Sequence, residues 1–182
     1  QSIFLMCRPS GKNVQESFTK RLQVSYSLDF DADSNSLWRI ISKPGNLNQS
    51  HPFCKSNEVI NWDENNRKDR LIYLNGRNYV RDFLNWDEGI GYTLLIGEEN
   101  GKQSYVTWKI EALNDNLSKL TITVYPFILA KLPKIFAIMP HLFWVNPRLK
   151  QYLHSVISGF QYHLETGNSV PRNHFGKHSW FS

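Results

Sequence analysis

The chain has 182 residues, 41% of them hydrophobic and 20% charged, which is the composition of one folded domain and excludes a disordered chain. The formal charge of +5 comes from Lys and Arg scattered among acids, as in Arg67-Lys68-Asp69-Arg70 and Lys109-Ile110-Glu111, without a run or helical stripe to follow phosphates, so no nucleic acid partner is expected. Cys7 and Cys54 are too few for a disulfide framework or a zinc knuckle, and Ile3–Cys7 is too short for a secretory signal, so a reducing, cytoplasmic setting is expected.

Residues 1–20 carry no sustained period and contain Pro9, Ser10, Gly11 and Asn13, so they read as an arm before the domain. From Leu22 the chain alternates, with Val24, Tyr26, Leu28 and Phe30 on one face, the pattern of a half-buried strand. Asp33 is placed to cap a short helix containing Leu37, Trp38, Ile40 and Ile41, which Pro44-Gly45 ends; a second short piece covers Asn46 to Ser50. Six further strands follow: Phe53–Trp62, Leu71–Leu74, Asn78–Phe83, Tyr92–Ile96, Ser104–Ala112 and Leu120–Tyr125. Asn75-Gly76 is the strongest turn signal among them. With a two-residue turn there, Leu74 pairs with Arg77, Ile72 with Tyr79 and Arg70 with Arg81, and Asp69 and Tyr73 fall on the opposite face. The last helix takes Asn146 as N-cap and Pro147 at its first position, carries Leu149, Tyr152, Leu153, Val156, Ile157 and Phe160 on one face, and stops at Gly167.

Between the last strand and this helix, Pro126 to Val145 is strongly apolar, but Lys131, Pro133, Lys134, Pro140 and His141 break it, so it does not read as a transmembrane segment. It is read as a lid over a cavity mouth, with an exposed patch for a peripheral membrane or partner contact as the alternative. Residues 21–167 thus form the domain, 126–145 its lid, and 168–182 a tail packed on it. The fold class is α+β: a curved seven-stranded antiparallel sheet wrapped around a long C-terminal helix, with two short helices after the first strand.

This order resembles the helix-grip architecture of the START/SRPBCC superfamily. Ser36-Leu37-Trp38-Arg39-Ile40-Ile41 is similar to the segment that opens the short helices in these proteins. His51-Pro52-Phe53-Cys54, Asn75-Gly76, Arg81-Asp82-Phe83, Trp86-Asp87, Gly91-Tyr92, Val106-Thr107-Trp108 and the tail Asn173–Ser182 resemble a bacterial branch of it. The superfamily includes lipid carriers, hormone receptors, chaperone activators and polyketide cyclases, so the resemblance bears on fold more than on activity. It implies that Tyr79, Arg81 and Phe83 face an internal cavity.

An inward Arg81 calls for a ligand carboxylate or an internal acid, because an unpaired guanidinium in apolar surroundings is costly. Tyr92 and Trp108 on the sheet, and Tyr152, Val156 and Phe160 on the helix, are either core filler or cavity wall, with Phe136 contributing from the lid. His51 is placed at the pocket edge; it and Cys54 lie on opposite faces of an extended segment and do not form a metal site. No metal, cofactor or catalytic motif stands out. The functional expectation is a hydrophobic small-molecule ligand (lipid, sterol-like or polyketide) held in the cavity. The alternatives are a cyclase or dehydratase-type enzyme, and a scaffold that binds a partner through residues 126–145.

Overall fold

Period-two alternation builds seven strands: β1 (Val24–Phe30), β2 (Cys54–Asp63), β3 (Asn66–Tyr73), β4 (Asn78–Asp87), β5 (Gly91–Gly97), β6 (Gln103–Asn114) and β7 (Leu117–Tyr125). They form one antiparallel sheet in the order β1-β7-β6-β5-β4-β3-β2 in the computed structural model, which describes residues 11–182. Register breaks at Cys54/Ser56, Val59/Asn61, Phe83/Asn85 and Ala112/Asn114 add local twist and bend the sheet into a concave grip. Val106, Trp108, Ile110, Leu120, Ile122 and Val124 are buried on its inner face, as their alternation requires.

The first part of the 1–20 arm, Cys7 included, lies outside the described residues. Gly11–Thr19 is a helix, α1, and beyond it Arg21 donates to the Gln103 carbonyl at 2.9 Å while Phe18 stacks on Tyr105. Asp33 caps α2 (Ser34–Ile41), accepting from the Ser36 N–H at 2.9 Å and the Ser36 hydroxyl at 2.6 Å. A short α3 (Leu47–Ser50) turns the chain into β2.

The C-terminal helix starts earlier than its sequence signals suggest. Helix α4 (Lys134–Pro140) passes through a π-helical turn (His141–Val145) into α5 (Asn146–Thr166) without leaving helical backbone angles. Asn146 is therefore an interior residue, not an N-cap, and its N–H bonds the His141 carbonyl. Pro147 has no N–H and its ring would press on a carbonyl one turn back; widening that turn to π spacing removes the conflict and lets the helix continue. Leu149, Leu153, Val156, Ile157 and Phe160 of α5 lie buried against the concave sheet. Helix and α3 meet at Gly159, where a Cβ would sit 2.1 Å from the Ser50 carbonyl oxygen.

The chain end returns to the body. Val170 N–H bonds the Gln49 carbonyl and Asn173 N–H the Pro52 carbonyl, and Phe181 is buried against Tyr73 and Tyr152 with ring centroids 4.5 Å from each.

Candidate ligand-binding site

Between the concave sheet and α5 lies a cavity of about 100 Å³. Its wall is aliphatic from Leu71, Leu94, Val106, Ile122 and Val124 on the sheet and Leu149, Leu153 and Val156 on the helix. Arg77, Phe127, Ile128 and Trp180 line it and also reach solvent, which marks its mouth.

Two polar groupings interrupt this wall. The first is an ion pair: Arg81 Nε donates to Asp69 Oδ1 at 2.8 Å, Nη2 donates to Asp69 Oδ2, and Nη2 also reaches Asn46 Oδ1 at 3.3 Å. Both side chains are essentially inaccessible, at 3% and 0% exposure, so two charges have been taken out of water and must satisfy each other. Burial alone would lower the Arg81 pKa, but the Asp69 carboxylate outweighs it and the net shift is upward, which fixes the guanidinium as a cation. Asn46 is held in turn by donating to the Ile41 carbonyl at 2.6 Å.

The second grouping is a hydroxyl chain. His51 Nδ1 accepts from the Phe53 N–H at 3.2 Å, which leaves the ring proton on Nε2, 2.9 Å from the Tyr152 hydroxyl; Tyr152 and Tyr73 hydroxyls are 3.0 Å apart. Burial, with Arg81 nearby, pushes His51 down to about 3, so the imidazole is neutral at physiological pH. Burial likewise raises Tyr73 and Tyr152, keeping both phenols protonated. Nε2–H donates to Tyr152, and the bond between the phenols uses one of their two hydrogens. One phenol hydrogen remains for a bound acceptor.

Of the residues singled out from sequence, Tyr79, Arg81, Trp108, Tyr152, Val156 and His51 line the cavity. Phe83, Tyr92 and Phe160 do not. They pack into an aromatic cluster instead: Phe83 and Tyr92 sit 5.2 Å apart, Tyr92 stacks on Trp86 at 5.2 Å and on Trp108 at 5.4 Å, and Phe160 meets Trp108 at 5.3 Å. Phe136 is 70% exposed and lies outside the cavity; only Pro126, Phe127 and Ile128 of the 126–145 segment touch it.

Asp69, Tyr73, Asn46 and the tail residues Trp180 and Phe181 were not legible as site residues. The cause for the first two is one residue of register. The β3–β4 connection has a three-residue loop, with Gly76 at φ 85°, Gly76 N–H bonding the Tyr73 carbonyl, and Tyr73 N–H bonding the Arg77 carbonyl. Asp69 therefore pairs with Arg81 and Leu71 with Tyr79, where a two-residue turn would set Arg70 against Arg81. That slip moves Asp69 and Tyr73 onto the cavity face. A signal was present: only this register puts Leu71, Tyr73, Tyr79 and Phe83 on one apolar face and an acid opposite Arg81.

Sheet order, short helices and gripping helix define a START/SRPBCC-type helix-grip fold, and solved structures agree. A START superfamily protein from Mycobacterium smegmatis aligns with TM-score 0.62 at 13% identity over 80% of this chain and 99% of its own. The protein TTHA0849 from Thermus thermophilus aligns with TM-score 0.65 at 13% identity over 81% of this chain and 100% of its own. DynU16, from the dynemicin biosynthetic locus, has TM-score 0.61 at 14% identity, and the di-domain ARO/CYC protein BexL has 0.62 at 11%. The chain covers 48% and 46% of those two, about half of each. No protein-family model and no curated protein matches the sequence. At these identities the likeness concerns the fold.

Proposed function

We propose that the protein binds a neutral, mostly apolar small molecule bearing a hydrogen-bond-accepting oxygen. The supporting observation is an apolar cavity whose polar wall groups are already neutralised from within: Arg81 by Asp69, and His51 by loss of its proton. A ligand carboxylate would add a second buried anion beside Asp69 or displace it, and either costs several kcal/mol, about 3–5 by the usual penalty for a broken buried pair. A carbonyl or hydroxyl oxygen has a ready partner in the spare phenol hydrogen of the Tyr73–Tyr152 pair. Apolar burial supplies the affinity, about 25 cal/mol per Å² before ordering costs.

At about 100 Å³ the cavity is below the roughly 300–1,000 Å³ typical of ligand pockets. A lipid-sized molecule therefore displaces part of the wall. Trp180 is placed to move, since it lines the mouth while partly exposed, and its carbonyl takes a hydrogen bond of 2.7 Å from the Asn75 side chain.

The kinship of fold with ARO/CYC proteins suggests a cyclising or dehydrating enzyme instead, but the titration behaviour favours binding. A base at about 3 and phenols pushed above their ordinary range stand far from the near-neutral values that proton transfer uses. Native mass spectrometry of the purified chain tests the proposal. A neutral apolar adduct that disappears in Val156→Phe, which fills the cavity, is the expected result. A carboxylic acid ligand, or an adduct retained by Val156→Phe, would overturn it.

A further inference from the structure

The segment 132–144 buries little of its own apolar surface. Ala137, His141 and Val145 face the body, a stripe one residue wide that Leu149 continues. Around it Ile135 (76%), Phe136 (70%), Met139 (61%) and Phe143 (73%) stand in solvent, with Leu132, Ile138, Leu142 and Trp144 also exposed. A contiguous apolar helix face of this kind marks a docking surface.

Charge decides what docks. No Asp or Glu occurs between Asp115 and Glu165, while Lys119, Lys131, Lys134, Arg148 and Lys150 do. Beside the exposed helix is a cleft of about 280 Å³ whose charged lining is Lys20, Arg21, Lys131 and Lys134, with no carboxylate. Lys20, Lys131 and Lys134 make no ion pair among the described residues. An apolar helix face flanked by unpaired cations matches the interface of an anionic bilayer, where acyl chains take the apolar side chains and headgroup phosphates take the cations.

We propose that residues 132–144 dock the protein on an anionic lipid bilayer, with the apolar helix face in the acyl boundary and Lys20, Arg21, Lys131 and Lys134 against headgroup phosphates. The cavity mouth lies at the same place. Pro126 and Ile128 line both cavity and cleft, and Trp144 of the exposed helix packs on Trp180 of the cavity wall with ring centroids 5.6 Å apart. Docking thus turns the mouth toward the membrane and gives an apolar ligand a path that avoids water. That last consequence rests on the ligand-binding reading; the docking does not.

The test is co-sedimentation of the full chain with vesicles of phosphatidylcholine alone and of phosphatidylcholine mixed equally with phosphatidylglycerol. Partition onto the anionic vesicles that weakens with added salt is expected. Lys131→Gln with Lys134→Gln lowers it about 30-fold, each cation near the surface being worth about fivefold. Phe136→Ser with Phe143→Ser lowers it at least about tenfold, and Ile135→Ser with Met139→Ser gives an independent pair on the same face. All these positions are exposed, so thermal melts should stay close to wild type. Wild-type protein that ignores both vesicle types, or variants that partition like wild type, would overturn the proposal. So would sedimentation velocity showing a dimer that Phe143→Ser dissociates and that does not bind vesicles, since the face would then serve a second copy. Wild-type protein that carries the native-mass adduct but binds neither vesicle type overturns docking and leaves the ligand reading standing.

Discussion

Removing either half of the Arg81–Asp69 pair strands the other charge in the protein interior. Asp69 is fully buried, and its two carboxylate oxygens take two guanidinium bonds; in Arg81→Met both are lost, and among the described residues the anion has no other cation within bonding distance. Breaking such a pair costs about 3–5 kcal/mol, a large share of the roughly 5–15 kcal/mol that holds a domain together. Asp69→Leu alone should cost a similar amount by stranding Arg81. The double variant Arg81→Met/Asp69→Leu removes both charges and fills the space, so it should lie within about 2 kcal/mol of wild type, the remaining cost being the partner lost by Asn46. Urea unfolding followed by tryptophan fluorescence, at neutral pH and with unchanged m-values, gives all four corners of the cycle. The expected coupling is at least about 3 kcal/mol. Single variants that cost less than about 1 kcal/mol, or costs that simply add, would refute the claim that these charges depend on each other.

Other outcomes follow from the same geometry. His51 is held at about 3 in the folded chain against an ordinary 6.5, so the unfolded chain takes up the proton first; stability should be complete above about 6.5, fall by up to about 1.4 kcal/mol per pH unit toward 3, and fall less in His51→Gln, as urea midpoints across that window would record. Tyr152→Phe removes the hydroxyl between His51 and Tyr73 and should destabilise by about 1–3 kcal/mol, while Tyr26→Phe, at a half-buried residue outside that hydroxyl chain, should be nearly silent in the same denaturation assay. Gly159→Ala forces a methyl against the Ser50 carbonyl and should cost about 1–3 kcal/mol or more in thermal unfolding; a neutral result would mean that α3 and α5 separate freely.

The fold was largely written in local patterns. Alternation in β1, β6 and β7 assigned inner faces that the structure retains, and the Asp33 cap and Gly167 stop mark real helix ends. What local pattern could not reach were choices made by competing terms. Asn75-Gly76 favours a two-residue hairpin by turn chemistry but also fits a three-residue loop ending on Gly76, and the structure takes the second, which pairs Asp69 with Arg81 across the sheet. Asn146-Pro147 is a good helix start taken alone, yet the chain is already helical from Lys134 and passes the proline through a π turn. Whether an aromatic side chain is filler or wall depends on where the sheet's curvature leaves space. Hence Trp108 borders the cavity and its neighbour Tyr92 does not, although both alternate inward.

The central claim, a cavity that selects neutral over acidic apolar molecules, is tested most directly by titrating the protein with a matched pair: a long-chain methyl ketone and the carboxylic acid of the same chain length, at neutral pH. The ketone should bind at least about tenfold more tightly, since one buried unpaired charge outweighs one hydrogen bond, and Val156→Phe should weaken it. Tighter binding of the acid, or ketone binding untouched by Val156→Phe, would contradict it.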